Sequence, residues 1–452
     1  MKLRRAITLK DAVMINLGAI IGAGIFVIIG IAAYEAGASI ILSIIISAVV
    51  ALFTGLSFSE IALHTAKEGG VYEFAKEAWH PFAGFIGGLL WTFGTTIALA
   101  AVSISMVGYI NALLGANLSA TIVASIVIIL FAFINALGIK SSAKTISILV
   151  AVNVAILIIF IIFGINYIDI NNFNNFTPNG IGGMLLGAAM IFFAFTGFSR
   201  ITTIGDEIID PKHTIPKAII ISIIISAILY ILVATIAVGM IGTKELGSST
   251  APLSLAISKL NDPLLLLIIS IGGITATAGV AFTGILGVSR VFFAMGRDNE
   301  LPKSLSRLDK YATPINAIIL SAIIAIFFIF FVSFKDIVDA SNSCVLSAYI
   351  IINIAAFNIW NKEQKNNNSL LKERNSKNSS IFYSKMFPII PILGLITISS
   401  ILIYIIGVTL PILVTLSLLG ILYYLYRNKK VNKTAIPIHS TVREFGKIRE
   451  RI

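Results

Sequence analysis

Long uncharged hydrophobic runs alternate with short polar clusters along almost the whole chain. Each run approaches the roughly 20 apolar residues that an α-helix needs to cross a bilayer, so each is interpreted as a membrane-spanning helix. Pro411 fits a tight turn between the last two runs. The pattern predicts twelve spans, at residues 9–34, 39–63, 82–113, 119–138, 144–166, 181–204, 217–242, 263–295, 314–333, 336–360, 387–406 and 409–426.

The composition excludes a soluble protein. Of the 452 residues, 57% are hydrophobic and 12% are charged. Soluble domains carry roughly 25% charged residues, about twice as many. The single cysteine, Cys344, excludes a disulfide framework and a cysteine-based metal site. We therefore predict an all-α polytopic membrane protein that needs neither a cofactor nor a metal.

Basic residues collect on one side of the predicted bundle. The net charge is +12, and all but four of the 33 Lys and Arg residues lie in the two termini and in the loops on the same side as the termini. Basic loops resist translocation, so this bias predicts a multi-pass protein of the cell membrane with both termini cytoplasmic. The bias also explains the positive charge without a nucleic-acid partner.

The first ten spans suggest two repeats of five spans each, and an odd number of spans forces the two repeats into opposite orientations. A segment rich in Asn, Lys and Ser follows them and is typical of a flexible linker. The predicted organisation is a cytoplasmic N-terminus (1–8), repeat one (9–166), repeat two (181–360), a flexible cytoplasmic linker (361–386), two further helices (387–426) and a basic cytoplasmic tail (427–452).

Glycines interrupt the first and sixth spans, which correspond to each other in the two repeats. The first interruption lies at 20–26 and the second at 192–198. Each mid-helix glycine weakens a helix by roughly 1 kcal/mol relative to alanine. Paired interruptions in a transporter point to a binding site, because freed N–H groups suit a carboxylate and freed carbonyls suit an ammonium. Close helix packing through Gly18 and Gly22 is the alternative interpretation.

Four motifs resemble the amino acid–polyamine–organocation (APC) superfamily of transporters. They are GAGIF at 22–26, the stretch 60–91 with EGGVY at 68–72, FFAFTGFSRITTIGDEIIDPKHTIP at 192–216, and RVFFAMGRDNELP at 290–302, which Thr313-Pro314 follows. The resemblance covers residues 7–360 well and the last two spans only generically. It implies a LeuT-type fold of two inverted repeats and secondary active transport of amino acids by alternating access.

The resemblance also implies which residues bind the substrate. The backbone at 23–25 would meet the substrate carboxylate, and carbonyls near Ile20 and at 193–196 would meet the ammonium. Gly94, Thr95 and Leu99 match substrate-facing positions of the third span. The complete predicted set is Ile20, Gly22, Ala23, Gly24, Ile25, Gly94, Thr95, Leu99, Phe193, Ala194, Phe195, Thr196 and Gly197.

Four residues are candidates for gating or coupling: Phe193, Asn153, Arg200 and Glu60. Phe193 matches an aromatic residue that covers the substrate in the family, although an ordinary core phenylalanine remains the alternative. Asn153 stands where proton-coupled relatives have a lysine, so lysine-type coupling is doubtful; an interhelical hydrogen bond is the other interpretation. Arg200 either pairs with an acidic residue such as Glu60 or extends toward the membrane boundary.

The substrate class follows from the scarcity of acidic residues in the middle of the third, eighth and tenth spans. A cationic side chain usually needs a carboxylate partner when it is buried, so neutral amino acids are favoured. An antiporter of cationic amino acids or polyamines stays open as an alternative, and a channel is more distant. No paired acidic or histidine constellation lies inside the spans, so we expect no enzymatic activity. The sequence predicts a lipid bilayer and a small-molecule substrate as partners and leaves the oligomeric state open.

Overall fold

The computed structural model describes residues 7–22, 24–64, 69–137, 143–309, 313–365 and 389–434. The described part is helical, and its only β-type pairing is an isolated bridge between Ile7 and Ile208. The α-helices are α1 (Leu9–Ile20), α2 (Ile29–Ala36), α3 (Ile40–His64), α4 (Val71–Ala78), α5 (Pro81–Leu114), α6 (Ala120–Ala136), α7 (Ala143–Gly164), α8 (Gly180–Phe195), α9 (Pro211–Gly247), α10 (Pro252–Ser258), α11 (Pro263–Arg297), α12 (Ile315–Phe331), α13 (Phe334–Lys365) and α14 (Ile389–Thr434).

Shorter helical segments join or extend these helices. A π-helical turn over Gly24–Ile28 precedes α2, and a long 3₁₀-helix over Thr196–Glu207 follows α8. The other 3₁₀-helices are Gly37–Ser39, Ile165–Tyr167, Ile170–Phe173 and Lys303–Ser306. Both glycine-interrupted stretches of the sequence therefore leave α-helical geometry.

Nine segments in the described ranges are long and apolar enough to cross a membrane, and the first, Leu9–Ala62, covers the first two predicted spans. The apolar helices α6 and α12 are shorter and lie at the fourth and ninth predicted spans. The prediction of an all-α polytopic membrane fold is confirmed, whereas the number of twelve crossings stays a prediction.

The helices form one bundle around α5, against which α11 and α13 pack. Helix α3 packs against α8 and α9, and α1 also packs against α9. The short helix α4 lies against α5 and α13, and α10 lies against α9 and α11. These two short helices mark the two ends of the bundle, which are called the α4 end and the α10 end below.

The last helix reverses direction near Pro411. A straight helix of 46 residues would be about 69 Å long, yet both ends of α14 lie toward the α4 end. Three contacts trace the reversal: Gly394 lies against Asn353, Thr409 pairs with Ser343 at 2.6 Å, and the Tyr424 ring packs on Phe82. The chain therefore runs along α13 toward the α10 end and returns along α5.

A network of charged and polar side chains, the α4-end ion cluster, joins α4 to the end of α11. It consists of Tyr72, Glu73, Lys76, Arg297 and Asp298. Lys76 forms an ion pair with Asp298, the Tyr72 hydroxyl donates to the same carboxylate at 2.8 Å, and Arg297 lies 3.4 Å from Glu73. Burial alone would raise the pKa of Asp298, but the hydrogen bonds from Lys76 and Tyr72 outweigh burial and lower it. Burial raises the pKa of Glu73.

Candidate functional site

The two interruptions meet in the centre of the bundle. A Cβ atom on Gly24 would lie 2.3 Å from Ala194 Cβ, and one on Gly197 would lie 2.3 Å from the carbonyl oxygen of Ala19. Both distances are shorter than any real side chain tolerates. The glycines are therefore required where they stand, because they let the backbones around α1 and α8 approach each other.

Three buried tyrosines bind backbone carbonyls at or close to these interruptions. The Tyr230 hydroxyl of α9 donates to the Ile20 carbonyl at 2.6 Å and lies 3.3 Å from the Ala194 carbonyl. Tyr109 of α5 donates to the Phe26 carbonyl. Tyr349 of α13 donates to the Thr196 carbonyl at 3.1 Å. Each hydroxyl satisfies an acceptor that would otherwise be buried at a cost, and so stabilises the interrupted backbone.

A small cavity, the junction cavity, lies beside the two interruptions. Small residues and aliphatic side chains make up much of its lining, and Thr95, Thr196 and Ser341 contribute hydroxyl groups. The lining residues are Ala19, Ile20, Gly24, Trp91, Thr95, Ala98, Leu99, Val102, Phe193, Ala194, Thr196, Gly197, Arg200, Val280, Gly284, Ser341 and Val345. None of these residues is acidic.

The structure brings eight of the predicted substrate-binding residues to this cavity: Ile20, Gly24, Thr95, Leu99, Phe193, Ala194, Thr196 and Gly197. Four others are not in its lining: Gly22, Ile25, Gly94 and Phe195. A side chain on Gly22 would meet Val280, and the Gly94 carbonyl instead accepts a hydrogen bond from Ser341 at 2.9 Å. Ala23 lies outside the described residues.

A second cavity, the side cavity, lies between α1, α7 and α11. Arg200 lines both cavities, and its guanidinium donates to the Thr283 carbonyl of α11 at 2.8 Å. This half-buried side chain therefore stands between the two spaces. Gly287, one turn beyond Thr283, leaves room for it, because a Cβ there would lie 3.0 Å from the guanidinium nitrogen.

The other gating and coupling candidates occupy different places. Asn153 lies in the side cavity and accepts a hydrogen bond from Thr275 of α11 at 2.9 Å, which favours the interhelical interpretation. Phe193 lines the junction cavity and is almost fully buried. Glu60 is buried in α3 and lines neither cavity. Among the described residues, no group of three or more His, Cys, Asp or Glu could hold a metal ion.

Sequence reasoning missed residues that reach the junction cavity from distant parts of the chain. Val280 and Gly284 come from α11, and Ser341 and Val345 come from α13. Between Pro263 and Ser289 helix α11 has no charged residue on any face, so its sequence carries no signal for which face meets a cavity. Trp91 is an exception, since it ends the motif stretch 60–91 that the sequence had already singled out.

Comparisons with known proteins agree with this architecture. The family model described as amino acid permease matches residues 11–418. The chain is 29% identical over 381 residues to the branched-chain amino acid permease BcaP of Bacillus subtilis (strain 168), covering 80% of this chain and 82% of that protein.

The names of two further relatives state other substrates. The methylthioribose transporter of Bacillus subtilis (strain 168) is 27% identical over 411 residues, covering 87% of this chain and 86% of that protein. The cationic amino acid transporter 9, chloroplastic, of Arabidopsis thaliana is 29% identical over 326 residues, covering 67% of this chain and 57% of that protein. The chain thus belongs to the amino acid permease family of the APC superfamily and is a multi-pass membrane transporter.

Proposed function

We propose that this protein is a secondary active transporter of neutral amino acids that works by alternating access around the junction cavity. The observation that carries the proposal is the lining of this cavity: backbone groups from two interrupted helices, three hydroxyl-bearing side chains and no acidic side chain. Such a site can hold a zwitterion through backbone dipoles alone.

The substrate carboxylate binds the N–H groups at 23–25, and the ammonium binds carbonyls of Ile20 and of residues 193–196. The Ile20 carbonyl already accepts a hydrogen bond from Tyr230. A carbonyl oxygen has two lone pairs, so this acceptor can serve the ammonium as well. Phe193 closes over the bound substrate.

The aliphatic part of the cavity receives the substrate side chain. Leu99, Val102, Val280 and Val345 form this part, and burial of apolar surface stabilises a matching side chain by roughly 25 cal/mol per Å². A branched aliphatic amino acid fits this chemistry, as does the name of the BcaP relative. A cationic substrate, as in the name of the Arabidopsis relative, would bury its charge without a carboxylate in the lining.

The orientation follows from the basic residues. The protein spans the cell membrane with its α4 end and both termini on the cytoplasmic side. The α10 end faces outward. Residues 9–166 and 181–360 form two inverted repeats that rock against each other around the junction cavity.

Counterflow in proteoliposomes tests the proposal. Vesicles loaded with unlabelled leucine should accumulate external labelled leucine with saturable kinetics, and excess isoleucine or valine should compete better than arginine or spermidine. Flux that does not saturate would favour a channel. Preferential competition by arginine or spermidine would favour the cationic antiporter.

A further inference from the structure

Asp339 is a carboxyl group buried in the membrane part of α13 without a hydrogen bond to its inner oxygen. The residue is 3% exposed, and its Oδ1 atom has no hydrogen-bond partner among the described residues. It lies outside both cavities. Burying an ionised carboxylate without a partner costs several kcal/mol or more, so such groups are neutral or bind a cation.

Few charges face Asp339. Those that act on it are Lys335 and Asp336 on its own helix and Glu35 at the end of α2. The helices packed against α13 add none nearby: α5 and α8 contain no Asp, Glu, Lys, Arg or His. In α3 the first charged residue is Glu60, and in α14 it is Arg427. Both lie toward the α4 end, as does α4 itself. Among the described residues, Asp339 therefore lies in an uncharged layer beneath the Lys335–Glu35 ion pair.

That ion pair joins α2 to α13 toward the α10 end. Lys335, one helical turn before Asp339, forms a salt bridge with Glu35. Glu35 belongs to α2, the outer half of the interrupted first helix, which leads directly into the π-helical turn at the junction cavity. The ion pair thus links α2 to α13 one helical turn from Asp339.

We propose that the Asp339 carboxyl is a proton-binding site whose occupancy is linked to closure of the α10 end. When the end is closed, the carboxyl is dry and keeps its proton. When α2 moves away from α13 and water enters, the O–H bond of Asp339 breaks and the proton passes to external water. External acid therefore favours the closed form. This inference rests on the proposed transport function, because it assigns a switch to the same alternating-access cycle.

Thiol labelling in proteoliposomes measures the linkage. Cys344 is the only cysteine and is buried, so a Cys344→Ala background with Thr95→Cys places one reporter in the junction cavity. A membrane-impermeant maleimide is applied from outside at acidic and alkaline external pH. For each protein, the labelling rate at alkaline pH is divided by the rate at acidic pH. This ratio is then compared between the protein with Asp339 and the protein with Asp339→Asn. The comparison cancels the intrinsic pH dependence of the thiol.

We expect a ratio several-fold larger with Asp339 than with Asp339→Asn. The matched control is Glu245→Gln, an exposed carboxylate toward the α10 end that pairs with Lys259 and is not among the charges that act on Asp339, and it should keep the large ratio. Glu35→Gln, which removes the ion pair without touching Asp339, should raise labelling at every pH. Because asparagine has the shape of a protonated aspartate, folding should survive, and gel filtration checks this.

Equal ratios for the Asp339 and Asp339→Asn proteins would overturn the inference. So would a change in labelling when sodium replaces potassium at constant pH, since the carboxyl would then bind a metal cation. Leucine counterflow in vesicles that hold the unsubstituted protein separates the two proposals. If leucine counterflow occurs but the labelling ratio does not depend on Asp339, only the proton site is refuted. If no counterflow occurs, the proposed function is refuted.

Discussion

The junction cavity and the α4-end ion cluster both make polar contacts, but different chemical groups make them. At the junction, backbone groups and hydroxyls make most of the polar contacts, as in the hydrogen bond from Tyr230 to the Ile20 carbonyl. At the α4 end, charged side chains pair with one another, as Lys76 does with Asp298.

The difference follows from the dielectric environment. Isolated charges are expensive in the membrane interior, whereas backbone dipoles are already present and only need a helix interruption to become available. Near water, charge pairs cost little to form and contribute little each. We therefore expect substitutions at the junction to affect substrate binding strongly and substitutions in the ion cluster to change stability modestly.

Gly24→Val gives the largest expected effect. The new side chain would overlap Ala194, whose Cβ lies 2.3 Å from the position of a Cβ on residue 24, and would block the neighbouring N–H groups. Binding of leucine, measured by scintillation proximity, should weaken by more than about 2.8 kcal/mol, a hundredfold. The control is Gly407→Val, because nothing lies within 4 Å of a Cβ there. Unchanged leucine affinity in the Gly24 variant would contradict the junction site.

Tyr230→Phe should come next. The substitution leaves the buried Ile20 carbonyl without its donor, which costs about 1–3 kcal/mol, and it loosens a carbonyl assigned to the substrate ammonium. Both the thermal unfolding midpoint and leucine affinity should fall. Tyr404→Phe, at an exposed tyrosine of α14, provides the comparison. A lower midpoint with intact affinity would make Tyr230 a structural residue only.

Asp298→Asn should lower stability without altering leucine affinity. The carboxylate binds Lys76 and Tyr72, and because these groups are partly exposed the loss should be about 1 kcal/mol or less. The more exposed pair of Lys259 with Glu245 supplies a reference: Glu245→Gln should shift the unfolding midpoint less. If Asp298→Asn abolished leucine binding instead, the separation between the two regions would fail.

The pH dependence of the ion cluster has two opposite components. The lowered pKa of Asp298 means that its stabilising contribution is present above its ordinary range and is lost as the pH falls through the lowered value. The raised pKa of Glu73 works the other way, because the folded state takes up the proton more readily and loses this contribution as the pH rises through the raised value. Asp298→Asn should therefore reduce acid sensitivity, and Glu73→Gln should increase it, in midpoints measured across the acidic range.

Thr275→Val should have the smallest effect. It removes one interhelical hydrogen bond to Asn153, a type worth about 0.6 kcal/mol in membranes. The unfolding midpoint should drop slightly, and leucine counterflow should keep its dependence on pH and sodium. A changed dependence would restore a coupling role to Asn153.

Much of this architecture could be predicted from the sequence. The uncharged runs predict where the helices lie. Gly22, Gly24 and Gly197 mark the interruptions, because a side chain at any of these three positions would overlap a neighbouring residue. The partners of those interruptions could not be predicted. Tyr230 lies in an apolar helix with no local signal for its contact, and Arg200 bridges two cavities that exist only after α1, α7 and α11 are packed. Ala23, assigned to the substrate carboxylate, lies outside the described residues.

The isolated bridge between Ile7 and Ile208 gives α1 a mechanical role. The Ile209 amide donates to the Ile7 carbonyl at 2.9 Å, and deeper in the bundle the Ile201 amide donates to the Asn16 side chain at 3.2 Å. Asn16 thus joins α1 to the 3₁₀-helix, and Ile7 joins the residue stretch before α1 to the stretch that follows the 3₁₀-helix. We therefore expect a tilt of α1 to move the segment that carries Arg200 with it, so that the residues of α1 and of this segment that line the junction cavity shift together.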